Sequence, residues 1–108
     1  MSQTRLTDAL PRLAVELADL LESRDRADLA AQIDHLELVD RCRCEEPFCA
    51  TFHVRASGDV PVVGGIDGSV PLGADRGLLF VDVVDGRIVT VEALFREDVR
   101  AKVREALP

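Results

Sequence analysis

The stretch Leu78-Leu79-Phe80-Val81-Asp82-Val83-Val84-Asp85-Gly86-Arg87-Ile88-Val89-Thr90-Val91-Glu92-Ala93-Leu94 decides the fold. Two runs rich in β-branched residues flank Asp85-Gly86. Asp-Gly is a preferred two-residue type I′ turn, because both positions need positive φ. The runs are apolar on both faces except at Asp82, Thr90 and Glu92, so they are expected at the centre of a sheet. A strict two-residue register places Asp82 opposite Val89 and Glu92 opposite Leu79. The two carboxylates then lie on opposite faces and cannot work as one acid/base pair.

Working outward, Val99, Val103, Ala106 and Leu107 give a helix over 97–107 one apolar face. Upstream, residues 56–77 hold six of the seven glycines and two of the five prolines. That segment reads as turns, with Val60–Val63 as a short edge strand that tolerates Pro61. Residues 38–44 and 48–55 alternate in polarity around Glu45-Glu46-Pro47, which predicts a second hairpin. Before it, Leu10, Leu13, Ala14, Leu17, Leu20 and Leu21 mark a helix over 8–22, with Asp8 as N-cap and Pro11 in the first turn. A second helix over 26–36, capped by Asp25, turns Leu29, Ile33 and Leu36 inward, and the two helices are expected to pair antiparallel. The expected architecture is a single α+β domain over 1–108: an N-terminal helix pair, an antiparallel sheet of two hairpins with four or five strands, and a C-terminal helix.

Composition narrows the function classes. The 108 residues include 13 basic and 20 acidic side chains, a net charge of −7. Such a surface repels phosphate backbones and anionic lipid, which argues against nucleic-acid and membrane partners. The chain has no Trp or Tyr and four Phe, so base-stacking platforms and the usual interface anchors are scarce. The first residues lack an apolar signal-peptide core and the cysteine count is odd, so the expected location is the cytoplasm. The glycines at 63–68 lack the Lys and Ser/Thr of a phosphate loop. His35, near the end of the second predicted helix, reads as a solvent-facing or capping residue.

One constellation carries possible chemistry. Cys42, Cys44, Cys49 and His53 follow C-x-C-x4-C-x3-H, and three thiolates with an imidazole suit a tetrahedral zinc site. The spacing departs from the usual C-x2-C knuckle. In an unbroken strand Cys49 and His53 stand roughly 13 Å apart. Register argues further. Pairing Cys44 with Phe48 puts Leu38, Cys42, Cys44, Phe48, Ala50, Phe52 and Val54 on an inner face. Arg41, Arg43, Cys49, Thr51, His53 and Arg55 then lie on the outer face. This register treats Cys42 and Cys44 as small buried hydrophobes and splits the cluster, so no metal or other cofactor is expected. A thiol nucleophile at Cys49, made acidic by neighbouring Arg and served by His53, is the remaining chemical reading.

Arg41-Cys42-Arg43-Cys44 with Phe48-Cys49-Ala50-Thr51-Phe52, and the hairpin Val81–Val89 running to Leu94, are similar to a group of small uncharacterised bacterial proteins, mostly from high-GC organisms. The resemblance covers residues 38–107. It implies no activity, and it implies a tyrosine-like residue at the position of His53, which counts against that histidine as a ligand. The expectation is therefore a non-enzymatic protein of accessory or immunity type. It would act through protein contacts with a basic partner steered by the acidic surface. The alternatives are a zinc-stabilised binding module at Cys42, Cys44, Cys49 and His53, and a thiol enzyme at Cys49.

Overall fold

The computed structural model describes residues 4–56 and 68–108. Helices α1 (Leu6–Ala9), α2 (Pro11–Ser23) and α3 (Ala27–Ala30) precede a 3-10 turn, Ile33–His35. Strands β1 (Leu36–Arg41), β2 (Phe52–Ala56), β3 (Gly68–Pro71), β4 (Leu78–Val84) and β5 (Arg87–Leu94) follow, and α4 (Glu97–Ala106) closes the chain. The five strands form one antiparallel sheet in the order β1-β2-β5-β4-β3. The α+β architecture matches the expectation from sequence, with the Asp85-Gly86 hairpin inside the sheet. Asp85 and Gly86 have φ of 53° and 76°, as a type I′ turn demands. The Val60–Val63 strand lies outside the described residues; the edge strand seen is Gly68–Pro71, in a segment expected to be turns.

The helical half differs from expectation in its punctuation. Asp8 lies inside α1, and α2 starts at Pro11 with Leu10 at its N-cap. Asp25 caps no second helix. It takes φ 58° and closes the first, while its N–H donates to the Glu22 carbonyl and that of Arg26 to the Leu21 carbonyl. These two bonds make a Schellman motif, and they consume the residue that was to start a new helix. The predicted helix over 26–36 is accordingly broken into α3 and the 3-10 turn, and Leu36 already belongs to β1.

The buried side chains form a cluster between the helices and one sheet face: Leu6, Leu13, Leu17, Leu21, Leu29 and Val99 against Leu36, Leu38, Phe52, Val81, Ile88 and Val91. Among the described residues, two polar ones are buried with it. Gln32 donates to the Gly86 carbonyl at 2.6 Å and accepts the Ile88 N–H at 3.0 Å, tying the 3-10 turn to the hairpin tip. Arg96 reaches Glu16 on α2 at 2.8 and 2.9 Å and Asp98 on α4 at 3.1 and 3.2 Å. These charge-assisted bonds raise the Arg96 pKa still further, Glu16 contributing most and Asp98 next. No helix among the described residues is long and apolar enough to cross a membrane.

Both long strand pairs contain a bulge. Leu38 faces Val54, but Asp40 faces His53, so Val39 is an extra residue on β1. Asp82 faces Thr90, but Val83 faces Ile88, so Val89 is an extra residue on β5. A one-residue slip exchanges the faces of every side chain beyond it. These two slips place the polar chemistry of the molecule.

Candidate metal centre

The first slip overturns the expected burial of the cysteines. The predicted register holds at Leu38, which faces Val54, and fails after Val39. Beyond the bulge Arg41 faces Phe52 on the helix side, where its Nε donates to the Leu107 carbonyl at 3.0 Å. Cys42 comes next and takes the opposite face. Its N–H donates to the Thr51 carbonyl at 2.9 Å. Cys49, bridged to Leu94 at the end of β5, belongs to that same outer face. Instead of the three-residue turn at 45–47, residues 42–51 form the connection between β1 and β2. Cys44 is exposed there, and Cys42 and Cys49 are half-buried. Phe48 also leaves the expected core and is 38% exposed.

The result is a cluster. The Sγ atoms of Cys42, Cys44 and Cys49 all lie within 4.8 Å of one another, and all three cysteines are free thiols. Zinc–sulfur bonds of about 2.3 Å in a tetrahedron require sulfurs roughly 3.8 Å apart. A contraction of about 1 Å at most brings the three onto one ion, within the reach of rotamer adjustment.

The loop holds this geometry with backbone bonds. The Cys49 N–H donates to the Glu46 carbonyl at 3.1 Å, closing a turn between the second and third cysteines. The Ala50 N–H donates to the Ala93 carbonyl at 2.8 Å, and the Phe95 N–H to the Phe48 carbonyl at 2.9 Å. The cluster is thereby anchored to the end of β5. Two sulfurs also accept backbone N–H groups from two residues on, Glu46 to Cys44 and Thr51 to Cys49.

Thr51 escaped the sequence reading, which saw only an outward-facing strand residue. Its Oγ1 accepts the Ala93 N–H at 3.2 Å and its hydroxyl donates to the Cys49 sulfur. The thiols titrate apart. Burial pushes Cys49 up, but the Thr51 N–H, the Cys44 thiol and the Thr51 hydroxyl outweigh it, and Cys49 falls below the ordinary thiol range. For Cys44 the Glu46 N–H pulls downward, yet the neighbouring Cys49 and Cys42 sulfurs together with desolvation leave it above that range.

His53, the fourth residue of the sequence motif, is not in the cluster. It is exposed on the outer sheet face, paired with Asp40 on one side and Thr90 on the other, with 3.1 Å between Nδ1 and Thr90 Oγ1. His35 ends the 3-10 turn and is exposed.

The second slip overturns the separation of Asp82 and Glu92. With Val89 bulged, Asp82 faces Thr90 and Glu92 faces Phe80, which puts both carboxyls on the outer face. They lie close enough to perturb one another, and Ser69 Oγ donates to Asp82 Oδ1 from β3. Desolvation first, then the Asp82 charge, raises the Glu92 pKa.

Comparison with known proteins returns no match: no family model, no curated protein and no solved structure aligns significantly with this chain.

Proposed function

We propose that the protein is a small metal-stabilised binding module in which Cys42, Cys44 and Cys49 hold one thiophilic cation, zinc in the first instance. The convergence of three sulfurs within 4.8 Å carries this reading. Soft thiolates select zinc or copper(I) over the hard cations, and sulfur-accepting N–H groups favour the deprotonated ligand. Cys49 and Cys44 each receive one such bond. Among the described residues three ligands converge, and water or a group from a partner would complete the fourth position. A role in contacts rather than catalysis fits the surroundings. The β1–β2 connection that would be ordered by the metal also presents Phe48 beside Phe95, both exposed. His53, the base that a thiol-enzyme reading needs, is instead engaged with Thr90.

The test is metal analysis of the full chain purified without added zinc, followed by titration with zinc and with cobalt(II). One equivalent of bound metal is expected, with sulfur-to-cobalt charge-transfer bands that disappear in Cys49→Ser. Protein that holds no stoichiometric metal, takes none up and melts identically in chelator would overturn the reading.

A further inference from the structure

A second feature lies beside the cysteine loop and does not depend on the metal. A cavity of about 330 Å³ is lined by Pro47, Phe48, Phe95, Arg96, Glu97 and Arg100. Phe95 is the residue between β5 and α4, and it turns the chain with φ 59°. A bulky side chain in the left-handed region is strained, and Gly or Asn would serve the turn better. The strain is not offset by core burial, because Phe95 is 62% exposed. Its ring instead stacks on Phe48 at a centroid separation of 5.0 Å. The chain thus holds an exposed aromatic pair in place against its local preference, a pattern that concentrates at binding sites.

The polar side of the cavity is equally unbalanced. Arg96 spends its charge on Glu16 and Asp98. Arg100 is half-exposed, yet its Nε is shut off from water and has no acceptor among the described residues. Because that inner edge is closed to water, a ligand carboxylate would meet the accessible terminal nitrogens of the planar fork. With Arg96 engaged by Glu16 and Asp98, Arg100 is the cation of this lining that remains for a ligand, beside Glu97.

We infer that this cavity binds a carboxylate carrying a flat apolar body, the body seated on Phe48 and Phe95 and the carboxylate paired with Arg100. The ligand is either a free aryl acid or the carboxy-terminus of a peptide ending in an aromatic residue. Both present the same chemistry, and the volume lies at the small end of ligand pockets.

The experiment titrates isotope-labelled full-length protein with phenylacetate, with a capped tripeptide ending in phenylalanine, and with phenylethylamine, read by NMR. The two carboxylates are expected to give saturable shifts at residues 47–48 and 95–100, with Kd near 1 mM for the smaller probe. The tighter of the two by about tenfold identifies the source. Arg100→Gln and Phe95→Asn should each weaken binding at least about tenfold. Folding of each variant is checked by its thermal midpoint and by unchanged shifts at Gln32 and Ile88. Equal response to phenylethylamine, no shift up to about 50 mM carboxylate, or full binding by folded Arg100→Gln would overturn the inference.

Discussion

The two hairpins use the same device and obtain opposite results. Each slips by one residue at a bulge, Val39 in the β1–β2 pair and Val89 in the β4–β5 pair. In the first, the slip turns sulfurs toward one another, and any favourable energy waits for a cation. In the second, it turns two carboxyls toward one another, and the local energy is relieved by a proton. A bulge within a strand pair thus gathers side chains that strict alternation would separate.

The largest expected effect breaks the first hairpin alone. Cys44 is exposed and outside the core, so Cys44→Ser tests ligation without disturbing that core. Metal affinity should fall by about 100-fold or more, measured by competition against a chromophoric chelator. His53→Ala, on the outer face, should stay within about twofold of wild type. Equal losses in the two variants would place the fourth ligand at His53 after all.

Thr51 sharpens the same contrast at lower amplitude. Thr51→Val keeps the side-chain volume and removes the hydroxyl that links the Ala93 N–H to the Cys49 sulfur. Affinity should drop by about tenfold with the stoichiometry of metal unchanged. Chelator competition on the valine variant alone decides this, and an unaltered affinity would confine Thr51 to sheet bonding.

Acid separates the hairpins by sign. In the first, the Arg43 guanidinium and the Arg41 N–H hold the Asp40 carboxyl below its ordinary range. A depressed folded-state pKa gives stability above the unfolded value and loses it as pH falls through the folded one. In the second, burial and Asp82 raise Glu92. A raised pKa gives stability at low pH and loses it as pH rises through the folded value. Glu92→Gln should therefore stabilise the protein at neutral pH, with the gain shrinking as pH falls into the ordinary carboxylate range. Urea midpoints of the two proteins at a series of pH values check it; a gain that grows on acidification would reverse the assignment.

How much of this was legible in the sequence follows from the same two bulges. Period-two and period-3.6 patterning identified β4, β5, α2 and α4, since hydrophobic burial decides each over many residues. The four candidate residues were visible too: Cys49 and His53 take the expected outer face, while Cys42 and Cys44 leave the expected inner one. Face assignment multiplies every residue by the same parity, so one unseen bulge inverts it. Nothing in Leu38-Val39-Asp40 marks Val39 as the extra residue, because a valine fits either face of a strand. The register at Leu38 agrees with the expectation, while Cys42, three residues past Val39, lies on the other side from the one expected. Asp25 was misread for a related reason: Asp serves both as N-cap and in the left-handed C-terminal position, and only the Arg26-to-Leu21 bond tells which.

The smallest expected effect compares one phenylalanine from each hairpin. Phe52 on β2 is fully buried, whereas Phe95 after β5 is strained and exposed. Truncating a buried aromatic costs about 3–5 kcal/mol, and Phe52→Ala should fall in that range. Phe95→Asn removes a stacked ring, a loss of about 0.5–1.5 kcal/mol. It also puts a residue tolerant of positive φ where a phenylalanine pays about 1–2 kcal/mol of strain. The two terms nearly cancel, so the variant should unfold within about 0.5 kcal/mol of wild type in urea. A loss approaching that of Phe52→Ala would make Phe95 a structural residue and leave its exposure without a role. A near-neutral result, with the ring gone, leaves the ligand cavity as the reason for a phenylalanine at a position that folding alone would give to asparagine or glycine.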